Sequence, residues 1–173
     1  LRRLRRREKN EAVREAIEEL IEETPESDTP ISEDQRVLLA NILKLRDKTV
    51  ADVMVPRVDI VGIAADTPLD EVVRLIQAEA HSRYPIYRES LDDVIGMIHI
   101  KDVLAYWGTS KKFNLRDILR RVVFVAPTQP VLDMLLDMRR SRTHMALVVD
   151  EFGGTDGLLT IEDLVEEIVG EIE

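Results

Sequence analysis

The chain has 173 residues, of which 45% are hydrophobic and 34% are charged, and it contains no cysteine. The absence of cysteine excludes disulfides and thiolate metal sites and favours a reducing, cytoplasmic setting. No apolar run approaches the roughly 20 residues that a membrane-spanning helix requires. The formal net charge of −10 argues against binding to DNA or RNA through their phosphates.

The segment over residues 1–30 combines a basic head, a helix and a linker. Arginines and one lysine crowd the first nine residues, a pattern that suits either an anionic membrane surface or a solvated terminus. An amphipathic helix is predicted over residues 11–23, because its apolar residues share one face. Two prolines among polar residues then predict a linker over residues 24–30.

A leading helix is predicted within residues 31–49. Ser32 and Gln35 have the spacing of a capping box, in which each side chain accepts a hydrogen bond from the other residue's backbone N–H. Apolar residues recur at helical spacing up to about Arg46. We expect the two N-terminal helices to pack on the rest of the chain or on a second subunit.

The remaining residues contain an internal repeat, with one copy over 50–108 and the other over 109–173. The string GMIHIKD at 96–102 recurs as GLLTIED at 157–163. Weaker matches extend the repeat: 50–54 with 115–119, 67–73 with 129–135, and 82–87 with 143–148. Each copy is predicted to form the element order β-α-β-β-α, with a proline in the first turn of its first helix. The predicted fold class is therefore α+β, with tandem motifs preceded by two helices.

Four segments carry the most specific sequence: VMVPR at 53–57, HSRYPIY at 81–87, HMALVVDEFGG at 144–154 and TIEDLVEEIVGEIE at 160–173. Together they resemble the paired CBS domains of the CorC/hemolysin C family, including its TlyC-like members. That family is associated with magnesium and cobalt efflux and is related to the CNNM magnesium transporters. The resemblance covers residues 31 to 173. It implies a Bateman module, in which two CBS motifs pack sheet against sheet with an adenine-nucleotide cleft on each side.

The same resemblance implies the partners of the chain. They are ATP or AMP as the regulatory ligand, a second copy that forms a homodimer of CBS pairs, and a membrane cation transporter. The implied location is cytoplasmic and peripheral to the inner face of the membrane. Family members continue through an acidic stretch into a small C-terminal transporter-associated domain, which we expect to be absent from this chain.

Thr160 and Asp163 lie where a strand is predicted to become a helix, and they suit two interpretations. Their spacing approximates a capping box, which stabilises a helix start without any ligand. A helix start also offers free N–H groups to a phosphate, and the Asp163 carboxylate can accept both hydroxyls of a ribose. The motif alone leaves both interpretations open, and the family resemblance favours ribose binding.

The resemblance places further residues across the same cleft: Val55, Pro56, His81, Ser82, Arg83, Tyr84 and Pro85. Backbone near Val55 is expected to read the adenine edge, and His81 or Tyr84 to flank the ring. Ser82 and Arg83 are expected to meet phosphate, for which a guanidinium is well shaped. The alternative is that this segment is only a strand entry with Arg83 as a surface charge.

A second, weaker cleft is expected from the other half of the repeat: His99, Lys101, Asp102, Arg142, Thr143 and His144. His99 stands where the first cleft has Thr160, so the hydroxyl that would assist ribose or phosphate is missing. We interpret His99 as a partly buried side chain rather than a catalytic base, because no nucleophile stands at a recognisable spacing.

No dedicated metal site is predicted, because the three histidines are far apart in sequence. Mg²⁺ commonly uses one or two carboxylates plus substrate phosphates, so a nucleotide-borne Mg²⁺ near Glu162 fits the sequence. The acidic cluster that contains Glu162 equally suits the solvated face of a helix near its N-terminus.

Three classes of function follow. The duplicated motif favours a regulatory module that binds adenine nucleotide and controls cation efflux. An enzyme is disfavoured, because a nucleophile, a paired acid and base, and a glycine-rich phosphate loop are all missing from the sequence. The alternative is a non-catalytic dimerising scaffold with vestigial clefts, which docks a membrane or ribosome-linked partner.

Overall fold

The computed structural model describes Glu15 and residues 32–170. The basic head, the linker and, apart from Glu15, the helix predicted over 11–23 lie outside the described residues. The chain divides into two compact units, one formed by Thr49–Leu164 and the other by Leu1–Lys48 with Val165–Glu173. Among the described helices, none combines the length and the apolar composition that crossing a membrane would need.

Helix α1 spans Glu33–Leu45 and begins with the predicted capping box. The Gln35 N–H donates to Ser32 Oγ at 3.3 Å, and the Ser32 N–H donates to Gln35 Oε1 at 2.9 Å. Within the same compact unit, the Asn41 side-chain amide donates to the carbonyl oxygen of Ile168 at 3.1 Å. The leading helix is therefore tied to the end of the described chain.

The first motif has the predicted helices and strands, with one interruption. Its elements are β1 (Val55–Pro56), β2 (Ile63–Ala64), α2 (Leu69–Glu79), β3 (Arg83–Tyr87), β4 (Val94–His99) and α3 (Ile100–Leu104). A 3₁₀ turn at Arg57–Asp59 divides the single strand that was predicted before α2. Pro68 immediately precedes α2 as its N-cap, where proline costs no hydrogen bond because a helix start has no partner for that N–H.

The second motif repeats this order without the interruption. Its elements are β5 (Val123–Val125), α4 (Val131–Ser141), β6 (Met145–Val149), β7 (Thr155–Thr160) and α5 (Ile161–Val169). Pro130 is the N-cap of α4, as Pro68 is of α2. The predicted α+β class and the duplicated β-α-β-β-α order are confirmed.

The strands form two sheets, ordered β2-β3-β4 and β1-β7-β6-β5. In each motif the strand before the first helix is parallel to the strand after it, and the last two strands are antiparallel. Strand β1 leaves its own motif and pairs with β7, where Val55 lies opposite Leu158. In return, an isolated bridge joins Arg120 of the second motif to Met97 in β4. Each motif thus completes the sheet of the other.

Over part of the repeat, the structure matches residues of the two motifs with an offset that differs by one residue from the offset predicted from the sequence. Helices α2 and α4 both end at a residue with left-handed backbone, Ala80 and Arg142. Counted from there, Arg83 is equivalent to Met145, because each begins the next strand. The predicted match of Arg83 with His144 is therefore wrong by one position. The alignment slips because the loop before the last strand is one residue shorter in the second motif.

The two sheets share an apolar layer. Met97 from β4 packs in one buried cluster with Met145 and Leu147 from β6 and Leu158 from β7. A second cluster, which includes Tyr84, joins strands β3 and β4 to helices α2 and α3. Packing of sheet against sheet places the ends of strands from both motifs close together, and this is where the candidate site lies.

Candidate functional site

A cavity of 290 Å³ has walls from both motifs. The lining residues are Val55, Asp59, Ile60, Val61, His81, Ser82, Arg83, Pro85, Met145, Leu158, Thr160, Glu162 and Asp163. The volume is near the lower end of the range of about 300–1,000 Å³ that is usual for small-ligand sites. Of the ten residues predicted for the first cleft, the structure brings eight to this one cavity.

Thr160 and Asp163 form a reciprocal cap at the start of α5. The Thr160 N–H donates to Asp163 Oδ2 at 2.6 Å, and the Asp163 N–H donates to Thr160 Oγ1 at 3.3 Å. The capping interpretation is therefore correct for these residues. It uses one carboxylate oxygen, while Oδ1 stays outside the cap and Asp163 lines the cavity. Capping and ligand binding are compatible at this position.

Arg83 and Glu162 link the two motifs at the cavity wall. Arg83 Nη1 donates to Glu162 Oε1 at 2.5 Å. The Arg83 side chain is 14% exposed, whereas the Glu162 side chain is 56% exposed. The largely covered guanidinium can exchange its exposed partner for another anion, because its planar set of donors matches a phosphate as well as a carboxylate.

Two of the residues predicted for the first cleft do not line the cavity. Tyr84 is fully buried, in the core cluster with α2 and α3. Its hydroxyl accepts a hydrogen bond from the His81 N–H at 3.1 Å, and burial raises the pKa of this phenol. Pro56 is exposed on the short strand β1. Of the two residues predicted to flank the ring, His81 lines the cavity and Tyr84 does not, because alternate residues of a strand face opposite sides.

Five cavity residues were missed by sequence reasoning: Asp59, Ile60, Val61, Met145 and Leu158. Four of them are apolar, and their sequence pattern is typical of ordinary strand or core residues. Leu158 reaches the cavity because it is the partner of Val55 across the exchanged strand pair. The repeat contained a signal for this residue, since it directly follows the glycine of the GLLTIED string.

Asp102, the aspartate of the second cleft, has a partner that the sequence did not predict. Arg120 Nε donates to Asp102 Oδ2 at 2.7 Å, and Arg120 Nη2 donates to Oδ1 at 2.8 Å. This hydrogen-bonded guanidinium is the main reason that the pKa of Asp102 lies below its ordinary value. Both carboxylate oxygens are therefore engaged within the chain.

His99 is the N-cap of α3, and its Nδ1 accepts a hydrogen bond from the Lys101 N–H at 3.1 Å. Burial lowers the pKa of His99 first, followed by the positive charges of Arg83, Arg120 and Lys101. At this helix start the imidazole nitrogen is the acceptor, where Thr160 supplies a hydroxyl oxygen in the other motif.

The rest of the second group occupies varied positions. Thr143 is buried, with 7% exposure. Arg142 holds the left-handed position that ends α4, and His144 and Lys101 are exposed. Across residues 32–170 and Glu15, no group of three or more histidines and carboxylates is arranged to hold a metal ion.

The profile of the CBS domain matches residues 50–108 and 115–170. The chain belongs to the CBS domain family. This CBS pair is 51% identical over 141 residues to a hemolysin C homolog from Rickettsia rickettsii, a match that covers 81% of this chain and 47% of that relative. The chain spans about half the length of the curated relatives it matches.

Solved structures share the fold of this CBS pair. The CBS domain of the bacterial CNNM/CorC family Mg²⁺ transporter in complex with ATP matches with a TM-score of 0.74 and 39% identity, over 80% of this chain and 99% of that one. A CBS-domain pair with bound AMP from Klebsiella pneumoniae matches with a TM-score of 0.63 and 35% identity, over 72% of this chain and 100% of that one. The predicted resemblance to the CorC/hemolysin C family is confirmed.

Proposed function

We propose that this CBS pair is a non-catalytic regulatory module that binds one adenine nucleotide, ATP or AMP, in the cavity lined by Asp163 and Arg83. The observation that carries the proposal is the convergence of a carboxylate, two hydroxyls and a guanidinium on one cavity: Asp163, Thr160, Ser82 and Arg83. Adenine nucleotides in the related CBS domains support the same ligand class.

The chemistry of the walls suggests how the ligand is divided. Asp163 Oδ1, which takes no part in the helix cap, is the natural acceptor for ribose hydroxyls. Apolar side chains such as Ile60 and Leu158 suit the adenine ring, and the backbone at Val55 suits its edge. Ser82 and Arg83 are donors suited to phosphate.

Mg²⁺ enters this proposal only with the nucleotide. Glu162 lies on the cavity wall and is half exposed, so it can act as one carboxylate ligand of a cation that the phosphates carry. Its present partner is Arg83, and a bound phosphate and cation would replace that ion pair by two new ones.

Ligand binding is proposed to act by a population shift. The cavity has walls from both motifs, so a bound nucleotide favours the relative placement in which both walls contact it. It can shift that equilibrium only by the difference between its affinities for the two placements.

The wider role is proposed from the relatives. We place the module in a CorC-like protein that takes part in magnesium or cobalt efflux or homeostasis, with a membrane cation transporter as its partner. The module would then act on the cytoplasmic side, peripheral to the inner face of the membrane, as a homodimer of CBS pairs.

Isothermal titration calorimetry with ATP, ADP, AMP and adenosine, each with and without Mg²⁺, tests the ligand. Asp163→Ala removes the ribose acceptor and is expected to weaken binding at least about a hundredfold, since hydrogen bonds to charged groups are worth about 1.5–3 kcal/mol each. It also removes the cap at α5, which is expected to cost about 1 kcal/mol of stability.

Asp102→Ala is the matched control, because Asp102 holds the equivalent position in the other motif. The control is expected to leave the affinity for ATP unchanged. Equal nucleotide affinity in Asp163→Ala and in the unmodified protein would contradict the proposal that Asp163 binds the ribose. Absence of heat with every ligand would instead favour the dimerising scaffold.

A further inference from the structure

The cavity and the second cleft predicted around Asp102 involve equivalent backbone positions of the two motifs, so the side chains at these positions can be compared directly. Val55 pairs with the β7 residue that lies five positions before Asp163. Arg120 forms its bridge with the β4 residue that lies five positions before Asp102. Val55 and Arg120 therefore hold equivalent positions. Each lies on the segment of one motif that pairs with a strand of the other motif.

The side chains at this shared position differ in what they do to the aspartate. Val55 has no polar side-chain atom, and Asp163 uses one oxygen for the helix cap. Arg120 donates to both oxygens of Asp102, at 2.7 and 2.8 Å. Such a bidentate pair matches the geometry of a planar guanidinium to that of a carboxylate.

The pair of Arg120 and Asp102 is ionised and held within the chain. The hydrogen bonds raise the pKa of Arg120 and lower that of Asp102, so both partners keep their charges at neutral pH. The Asp102 side chain is 27% exposed and the Arg120 side chain 49%. The carboxylate is thus covered in part by the guanidinium that it binds.

We propose that Arg120 closes the second cleft to adenine nucleotides, by engaging the carboxylate that would otherwise accept a ribose, and so limits the chain to one nucleotide. The inference rests on the proposed function, because it takes Asp163 as the ribose acceptor of the first cleft. A nucleotide entering the second cleft must displace the guanidinium from Asp102. Valine at this position, as in the first cleft, removes the guanidinium and leaves Asp102 with the backbone hydrogen bond from His99.

The test is the stoichiometry of ATP binding in four proteins, measured by isothermal titration calorimetry. The unmodified chain is expected to bind one ATP and Arg120→Val two. Asp163→Ala is expected to bind none. The double variant Arg120→Val with Asp163→Ala is expected to bind one, in the second cleft.

A reciprocal variant tests the same position from the other side. Val55→Arg places a guanidinium opposite Asp163 and is expected to weaken ATP binding in the first cleft at least about tenfold, which corresponds to about 1.4 kcal/mol. Circular dichroism and thermal unfolding check that each variant is folded. If Arg120→Val does not fold, Arg120→Leu makes the same test with a larger apolar side chain.

The outcomes separate this inference from the proposed function. One ATP in both the unmodified chain and Arg120→Val overturns the closing role of Arg120 and leaves the first cleft as proposed. Two ATP molecules in the unmodified chain also overturn it. If the unmodified chain binds no ATP but Arg120→Val binds one, the first cleft is not a nucleotide site and the role of Arg120 is supported. No binding in any of the four proteins overturns both.

Discussion

In the proposed function, Arg83 is the residue at which binding of an anion and contact between the motifs compete. Its guanidinium donates to Glu162 on the opposite wall of the cavity, and the same guanidinium is the strongest donor available there to a phosphate. Glu162 therefore has two effects on a nucleotide. In the proposed complex, it occupies Arg83 and repels phosphate when no cation is present, and it would supply a ligand when Mg²⁺ accompanies the phosphates.

Glu162→Gln separates these two effects. The substitution removes the repelling charge and releases Arg83, so the affinity for ATP without Mg²⁺ is expected to rise by up to about fivefold, the equivalent of about 1 kcal/mol for a half-exposed ion pair. The gain from adding Mg²⁺ is expected to shrink. Titration calorimetry with and without the cation measures both quantities.

Glu166→Gln is the control for Glu162→Gln, because it makes the same change of charge on the same helix at an exposed position outside the cavity lining. It is expected to leave ATP affinity and its Mg²⁺ dependence unchanged. An affinity for metal-free ATP that falls in Glu162→Gln contradicts the competition at Arg83.

The site residues that sequence reasoning found share a property. Thr160, Asp163, Ser82 and Arg83 are polar residues inside specific strings, so their chemistry was visible before any fold was known. Arg120 was missed, because it lies outside the strings that the two copies of the repeat share. Its partner becomes evident only when the bridge between Arg120 and β4 is known.

The Asp92 carboxylate joins the loop between β3 and β4 to strand β7 through hydrogen bonds. Asp92 Oδ1 accepts a hydrogen bond from the Thr155 N–H at 2.8 Å, and Asp92 Oδ2 accepts one from Arg57 Nη2 at 2.9 Å. Arg57 also donates to the Thr155 carbonyl oxygen at 2.8 Å. This network joins a loop of the first motif to a strand of the second.

The network predicts a loss of stability in acid. The hydrogen bond from Arg57, followed by that from the Thr155 N–H, lowers the pKa of Asp92 from 3.8 to about 2. Because the folded-state pKa is lowered, the stabilisation is complete above the ordinary value and is lost as the pH falls from 3.8 through about 2. Thermal unfolding followed by circular dichroism between pH 7 and pH 2 measures the effect.

Asp92→Asn is the comparison for this pH dependence. The amide cannot titrate, so the variant is expected to be less stable than the unmodified chain at pH 7, with a difference that narrows as the pH falls through the same window. A difference in unfolding temperature that stays constant from pH 7 to pH 2 contradicts the role of the Asp92 carboxylate.

The elements themselves were largely predictable, because the period of apolar residues and the two prolines before α2 and α4 are local signals. The exchanged strand β1 was not, since two residues carry no periodicity. The ends of α2 and α4 were also hidden. Left-handed backbone at a helix end usually belongs to glycine, but here Ala80 and Arg142 adopt it.

An apolar groove is a candidate contact surface for the proposed homodimer. It lies between α2 and α3, and its lining residues are Val73, Ile76, Gln77, Ile100, Val103, Leu104 and Trp107. Leu104 is 63% exposed and Trp107 53%. The chain carries a net charge of −10, but no lining residue of this groove is charged, so two copies can meet there without repulsion between like charges.

Trp107→Glu tests this contact. A carboxylate in the groove would be desolvated and set against its own copy in a symmetric interface, so the variant is expected to sediment as a monomer where the unmodified chain sediments as a dimer. Analytical ultracentrifugation measures the difference. Phe124→Glu, a substitution at another exposed aromatic residue outside the groove, is expected to leave the dimer intact. A monomeric unmodified chain removes the homodimer from the proposal.

The exchange of β1 has a consequence for the order in which the chain is made. Val55 meets its partner Leu158 only after roughly 100 further residues have been added, which takes about 5–20 s at the usual pace of translation. During that time strand β1 of the first motif has no partner strand in a sheet. The distant pairing also raises the contact order, which slows folding. A chain cut short between the two motifs would therefore expose an unpaired sheet edge, which is suited to capture by chaperones.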